Sequence, residues 1–343
     1  MGEKSITAEK LTELDRVLAG CRTLLILIHD YPDPDAIASA FAFAHLLHQR
    51  YNIRTRIGYG GLITRAENRA MVQQLKITMT HTSQLHWKRY KYIALLDTQP
   101  SFGNHSLPSD VKPIIVIDHH EVTDPVEAPF ADIRLGYGAC ATVIFEYLAE
   151  AGIDIPAPVA TAIAFAIRTE TQELGRDARD EDLQAYLQVY PKANKRKIAK
   201  IANPKLPHSY FLTLKTALSE ARTFRHLAHV HLGSVESPEI ISQVADLLLR
   251  HFGIGWSLTT GRFNQQLYLS LRASHPKAHA GNVLKKIIGH FGTGGGHGTM
   301  AGGRIPFNDD NPQQWHRLEH LVNQRFLRAL GYKKDSAWKQ LIE

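Results

Sequence analysis

Three short apolar runs in this chain each end abruptly on acids or imidazoles, and this repetition restricts the fold more than any other feature of the sequence. Residues 24–28 lead straight into His29-Asp30-Tyr31-Pro32-Asp33-Pro34-Asp35, residues 92–96 into Asp97, and residues 113–117 into Asp118-His119-His120. Apolar runs this short and this continuous read as strands buried on both faces, the kind found in parallel sheets covered by helices. They alternate with helical patterns at 36–49, 139–151 and 159–168 and with a further strand candidate at 55–59, as βαβ units do. Ligands of open α/β sheets collect at the carboxyl ends of the strands, so the three clusters are expected to meet there. Pro32 and Pro34 stiffen the first loop and withhold two backbone donors. Ordinary Asp-Pro turn chemistry would explain that loop alone, and a lone aspartate after a strand is common. Three such endings in one chain argue for a site.

Carboxylates crowded at one place repel one another and are driven towards protonation unless a cation neutralises them. The set is rich in oxygen, holds some imidazole and contains no thiolate. That mixture favours Mn²⁺, with Mg²⁺ as the other option, over a structural zinc site. The ligands suffice for two ions sharing one carboxylate, an arrangement suited to in-line displacement at phosphorus.

His29-x-x-Pro32-Asp33-x-Asp35-Ala36, Asp97-Thr98 and Asp118-His119-His120 resemble the first three signature motifs of the DHH phosphoesterase family, which includes RecJ-like exonucleases, NrnA-type nano-RNases and family II pyrophosphatases. Residues 135–142 are similar to the family's glycine-containing turn before a helix. Gly294-Gly295-Gly296-His297 with Ala301-Gly302-Gly303 resembles the hallmark of the DHH-associated C-terminal domain. The resemblance implies that His29 and Asp33 hold one metal, that Asp35 and His119 bind the second, and that Asp97 bridges them. It implies a catalytic role for Asp97, with His120 meeting the substrate phosphate and Asp118 orienting an imidazole. Where many members carry an aspartate this chain has Thr169-Glu170-Thr171, and Glu170, longer by one methylene, is expected to reach the second metal.

At 343 residues the chain exceeds what one hydrophobic core usually organises. The expected division is a parallel-sheet metal-binding domain at 1–185, a helical connector at 186–225, a smaller α/β substrate-binding domain at 226–330 and a tail at 331–343, with the cleft between the two domains. The second domain reads as strands near 228–232, 255–260 and 266–272, a helix at 280–288 and a glycine-rich turn. Read without the resemblance, residues 292–298 look like a flexible hairpin loop. With it, Gly294, Gly295, Gly296 and His297 are expected to cradle a phosphate or terminal nucleotide, with Arg272 gripping a phosphate through its planar fork.

No apolar run nears the ~20 residues a membrane span needs, and residues 1–10 carry no secretory pattern, so a soluble, cytoplasmic protein is expected. Cys21 and Cys140, neither in a redox or zinc motif, fit a reducing compartment. The formal charge of +7 would draw a polyanion, although the basic run Lys192, Lys195, Arg196, Lys197 and Lys200 reads first as a solvated helix face. The expected activity is hydrolysis of short single-stranded oligonucleotides or linear dinucleotides to mononucleotides through water activated by two metal ions. The rivals are a phosphatase of small compounds such as 3′-phosphoadenosine 5′-phosphate or polyphosphate, and a nucleotide-binding regulator that has lost catalysis. Substrate length, sugar type, polarity and oligomeric state, a homodimer included, stay open.

Overall fold

The computed structural model describes residues 5–63, 65–122, 124–175, 177–307, 311–333 and 337–342. The chain divides into two compact units, Met1–Pro204 and Lys205–Glu343.

The first unit runs α1 (Ile6–Val17), β1 (Thr23–Ile28), α2 (Pro34–Tyr51), β2 (Arg54–Tyr59), α3 (Ala66–Leu75), β3 (Met79–His81), β4 (Ile93–Leu96), β5 (Ile115–Asp118), β6 (Phe130–Ile133), α4 (Cys140–Glu150), α5 (Ala157–Glu170), α6 (Asp180–Val189) and α7 (Lys195–Ala202). Its six strands form one sheet in the order β3-β2-β1-β4-β5-β6, every pair parallel. The run Leu24–Ile28 is buried throughout because the pleat sends alternate side chains to two different cores. Leu24, Ile26 and Ile28 join the helix-covered core with Phe43, Ile163 and Phe165, while Leu25 and Leu27 join a smaller one with Leu85, Leu95 and Val116. The first strand leads to β2 on one side, and the chain later returns to place β4 on its other side. The adjacent carboxyl ends of β1 and β4 therefore form the switch point where open α/β sheets bind ligands. Helix α2 starts earlier than its apolar pattern suggests. Asp33 caps it, accepting from the Ala36 amide at 2.9 Å, and Pro34 supplies the first helical position, so Asp35 lies in the first turn rather than in a loop.

The second unit contains α8 (His208–Glu220), β7 (Arg222–Phe224), β8 (Leu227–Ser234), α9 (Glu239–Leu249), β9 (Trp256–Phe263), β10 (Gln266–Ala273), α10 (Ala280–Ile288), β11 (Thr293–His297), β12 (Met300–Pro306), α11 (Pro312–Ala329) and β13 (Lys339–Gln340). Its mixed seven-stranded sheet has the order β11-β12-β10-β9-β8-β7-β13, parallel only between β8 and β9. Apolar residues of α10 and α11 form one core with Leu258 and Leu269, and those of α8 and α9 form another with Val230 and Leu232. The glycine run expected as a turn is the edge strand β11, paired Gly294 to Gly303 and Gly295 to Gly302. Close packing explains the glycines, because a Cβ on Gly294 would lie 2.6 Å from Ile288 Cδ1, and one on Gly281 in α10 would lie 2.0 Å from the Gly296 carbonyl oxygen. Among the described residues no helix is long and apolar enough to cross a membrane.

Candidate metal centre

The carboxyl ends of β1, β4 and β5 bring His29, Asp97 and the Asp118–His120 stretch together, and the first turn of α2 adds Asp33 and Asp35. Asp97 follows β4 directly, in left-handed backbone with φ of 57°. Aspartate tolerates this region better than most residues, and the amide is fixed by a 3.0 Å bond to the Ile117 carbonyl. The turn aims the side chain into the cluster, where its two oxygens part. Oδ2 lies 3.7 Å from His29 Nε2, and Oδ1 lies 3.5 Å from His119 Nε2. His29 Nε2 also stands 3.6 Å from Asp33 Oδ2, and His119 Nε2 stands 3.7 Å from Asp35 Oδ2.

The imidazoles are oriented from behind. His29 Nδ1 lies 2.9 Å from the Asp30 carbonyl and His119 Nδ1 lies 2.8 Å from the Tyr137 carbonyl, so each Nδ1 donates and each Nε2 faces carboxylate oxygens. Asp97 Oδ1 is buried with no hydrogen-bond partner. An orphaned carboxylate oxygen beside an imidazole nitrogen that carries a lone pair is costly unless a cation stands between them. Spacings of 3.5–3.7 Å suit two ligand atoms of one ion, each about 2.1 Å from it, better than a hydrogen bond. Among the described residues two groups meet the spacing a metal ion needs, His29 with Asp33 and Asp97, and Asp97 with Asp118, His119 and His120, and Asp97 is common to both.

The electrostatics of these side chains point the same way. Burial alone would depress the His29 imidazole, but the carboxylates of Asp33 and Asp97 hold it up at about 10. His119 is likewise driven well above its ordinary range, where Asp97 and Asp35 outweigh burial. Burial and the neighbouring Asp97 charge push the Asp35 carboxyl upward, and burial does the same to Asp97. Crowded carboxylates of this kind call for a positive partner, which a divalent cation supplies.

Asp35 is further held by the amino end of α4. The Cys140 and Ala141 amides donate to its two oxygens at 2.6 and 2.9 Å, so the helix dipole favours its anionic form. The preceding turn carries Gly136 at φ of 88° and Gly138, where a Cβ would meet Thr171 Cγ2 at 2.5 Å. Both glycines let the chain swing α4 into that position.

Asp118 is fully buried and fully engaged. It accepts from His120 Nδ1, the His119 amide and Gln99 Nε2, each at 2.8 Å. Burial would raise its carboxyl, but the bond and charge of His120, the Gln99 amide and the charge of His119 together hold it below the usual range. Burial would lower the His120 imidazole, but the bond to Asp118 together with the charges of Asp97 and Asp118 lifts it. Gln99, which the motifs did not single out, also donates to the His120 carbonyl at 3.1 Å. Asp30, although inside the first motif, turns away and accepts from Ser106 Oγ at 2.8 and 3.0 Å.

A cavity of about 150 Å³ opens on this cluster, lined by His29, Asp33, Asp97, Phe102, Asn104, His119, His120 and Glu170. Glu170 ends α5, and its charge bears on Asp35. Phe102 and Asn104 carry no motif signal, because they reach the cavity through the loop after β4. In the second unit, Arg272 donates from Nε to Asp246 at 2.6 Å and from Nη1 to Ser270 at 2.9 Å. Gly294, Gly295 and Gly296 lie in β11 with His297, whose side chain is outside the described residues.

Comparison with known proteins agrees with this architecture. The N-terminal domain of the DHH family matches residues 23–167, and the DHHA1 domain matches residues 226–326. The uncharacterized protein MJ1633 of Methanocaldococcus jannaschii is 32% identical over 321 residues, covering 91% of this chain, and the chain spans 65% of that relative's length. The crystal structure of an exopolyphosphatase-related protein from Bacteroides fragilis superposes with a TM-score of 0.75 at 15% identity, covering 96% of this chain and 100% of that one. At that identity the likeness speaks to fold alone.

Proposed function

Since this chain belongs to the DHH family of phosphoesterases and carries the family's DHHA1 domain, we propose that it is a two-metal phosphodiesterase releasing mononucleotides from short single-stranded oligonucleotides or linear dinucleotides. The observation that carries this reading is the division of Asp97, one oxygen towards each of two imidazoles and one of them without a hydrogen-bond partner. His29 and Asp33 would hold one ion, Asp35, His119 and Glu170 the other, and Asp97 both. Imidazole in the set favours Mn²⁺ over Mg²⁺. Such ions supply Lewis-acid polarisation of a phosphoryl oxygen and lower the pKa of water.

The side chains would do the remaining work. Asp118 holds His120 with Nδ1 protonated and the ring at the cavity wall, where a cationic imidazole meets a phosphate oxygen. Gln99 locks Asp118 in turn. At about 150 Å³ the cavity suits a phosphate group rather than a whole nucleotide, so the rest of the substrate would lie outside it. In the second unit, Arg272 and the strand holding Gly294, Gly295, Gly296 and His297 are the proposed grip on the substrate's terminal nucleotide.

Incubation with end-labelled RNA and DNA from dinucleotides to decamers, alongside 3′-phosphoadenosine 5′-phosphate and polyphosphate, tests the reading. Mononucleotides should appear with Mn²⁺, vanish with excess chelator and return on adding metal. Full activity in chelator would overturn the two-metal mechanism, and turnover of only the small compounds would replace the substrate class.

A further inference from the structure

Residues 191–204 carry Lys192, Lys195, Arg196, Lys197 and Lys200 and no acid, so this stretch alone holds five of the chain's seven net positive charges. A merely solvated helix face usually mixes both signs, since i to i+4 pairs stabilise it. Helix α7 does not. Its apolar side, Ile198 and Ile201, is buried in the core that also holds Met71 and Leu75 of α3, and Lys195, Arg196 and Lys200 are left on the exposed side. Tyr190 stands beside them, 36% exposed, with Lys195 Nζ 5.3 Å from its ring centre and Tyr186 stacked behind it.

Helix α3 links this patch to the metal centre. At its far end Lys197 Nζ donates to the Gln74 carbonyl at 2.8 Å. At its near end Asn68 Nδ2 donates to the Pro32 carbonyl at 2.9 Å, inside the loop that delivers Asp33. Arg69 is exposed on the same helix, and Arg65 and the exposed Lys76 flank it as its N-cap and C-cap, so basic side chains stand along its length and at both of its ends. Ten residues of helix span about 15 Å, so these side chains follow roughly two nucleotides of a stretched strand, and α7 lies beyond them.

We propose that these basic side chains of α3 and its caps and the exposed face of α7 form a track for the phosphate backbone of a single-stranded oligonucleotide whose reacting end sits at the metal centre. The inference rests on the phosphodiesterase reading and deepens it, since a dinucleotide would be too short to use the track. Basic side chains that follow a backbone, interleaved with an aromatic ring on which a base can stack, are the usual means of holding single strands without sequence preference.

The test compares wild type with the triple variant K195Q/R196Q/K200Q, none of whose positions touches the metal centre. The variant should cleave a dinucleotide within about twofold of wild type, which also reports an intact fold, and lose at least about fivefold in kcat/KM on a dodecamer. Its log–log salt dependence on the dodecamer should be shallower by about 0.7 for each phosphate that the track no longer neutralises. K195R/K200R, which keeps the charge, should behave as wild type. A separate arm measures fluorescence anisotropy of a labelled dodecamer in excess chelator, where binding should weaken in K195Q/R196Q/K200Q. Loss of binding with no turnover of any oligonucleotide by wild type would keep the track and overturn the phosphodiesterase reading. Equal cleavage and equal binding of the dodecamer by both proteins would keep that reading and overturn the track. Vesicles of phosphatidylglycerol that bind wild type while the dodecamer does not would assign the patch to an anionic membrane instead.

Discussion

Asp97 joins three constraints in one residue: left-handed backbone, near-complete burial and an oxygen without a hydrogen-bond partner. Strain and an unsatisfied buried group are tolerated where function requires them. Asp97→Asn keeps the shape and removes the charge. It should cost at least about 10³-fold in turnover and abolish the rise in Tm expected of the wild type on adding Mn²⁺, because binding to the native state alone is what raises stability. A turnover near wild type, or an unchanged Mn²⁺ shift, would remove Asp97 from the centre. Glu170 offers a finer test, since it lines the cavity and its charge bears on Asp35. Glu170→Asp should retain much of the activity, whereas Glu170→Gln should raise the Mn²⁺ concentration needed for half activity before it lowers the plateau. Superimposable titrations of wild type and Glu170→Gln would leave the second ion to Asp35, Asp97 and His119.

At the scale of elements, glycine has two meanings in this chain. Gly136 and Gly138 shape the turn that brings the amides of α4 onto Asp35, whereas Gly281 and Gly294 let α10 lie close upon β11. The run at 292–298 is ambiguous in sequence because glycine weakens a strand and favours a turn when considered locally. Pairing with β12 and packing against α10 settle the matter, and neither partner is visible in the run itself. Gly281→Ala places a Cβ against the Gly296 carbonyl, which is backbone and cannot rotate away. Forcing the helix off the strand should destabilise the second unit by about 1–3 kcal/mol, read as a lower midpoint in denaturant. An unchanged midpoint would show that α10 has slack.

For the whole molecule, acid should act first on the second unit. Burial drives the His229 imidazole well below its ordinary range, and burial lowers that of His231 to about 4. Both are neutral in the fold, and both would gain protons in the unfolded chain near 6.5. Below that pH the unfolded state binds more protons, so stability is full above about 6.5 and declines as pH falls towards 4. Trp256, Trp315 and Trp338 all lie in this unit, and the Trp338 ring stands 4.3 Å from that of His229, so tryptophan emission follows the transition. His229→Phe should flatten the acid limb. A limb unchanged by that substitution would point to the carboxylates of the first unit instead.

The parallel sheet and the residues grouped at its carboxyl edge were legible in the sequence because both follow from local regularities. Apolar runs must be buried on both faces, and the acids that follow them must emerge at the strand ends. The short strands β3 and β6 were not legible, since neither carries an apolar run long enough to announce itself. Neither was the support beneath the site, where Gln99 holds Asp118 and the amides of α4 hold Asp35 across 105 residues of chain. Sequence by itself determined which ligand chemistry this protein carries. Only the tertiary structure decided that β1 and β4 lie side by side, so that one carboxylate faces two imidazoles, because strand order is a choice among distant segments that no local pattern encodes.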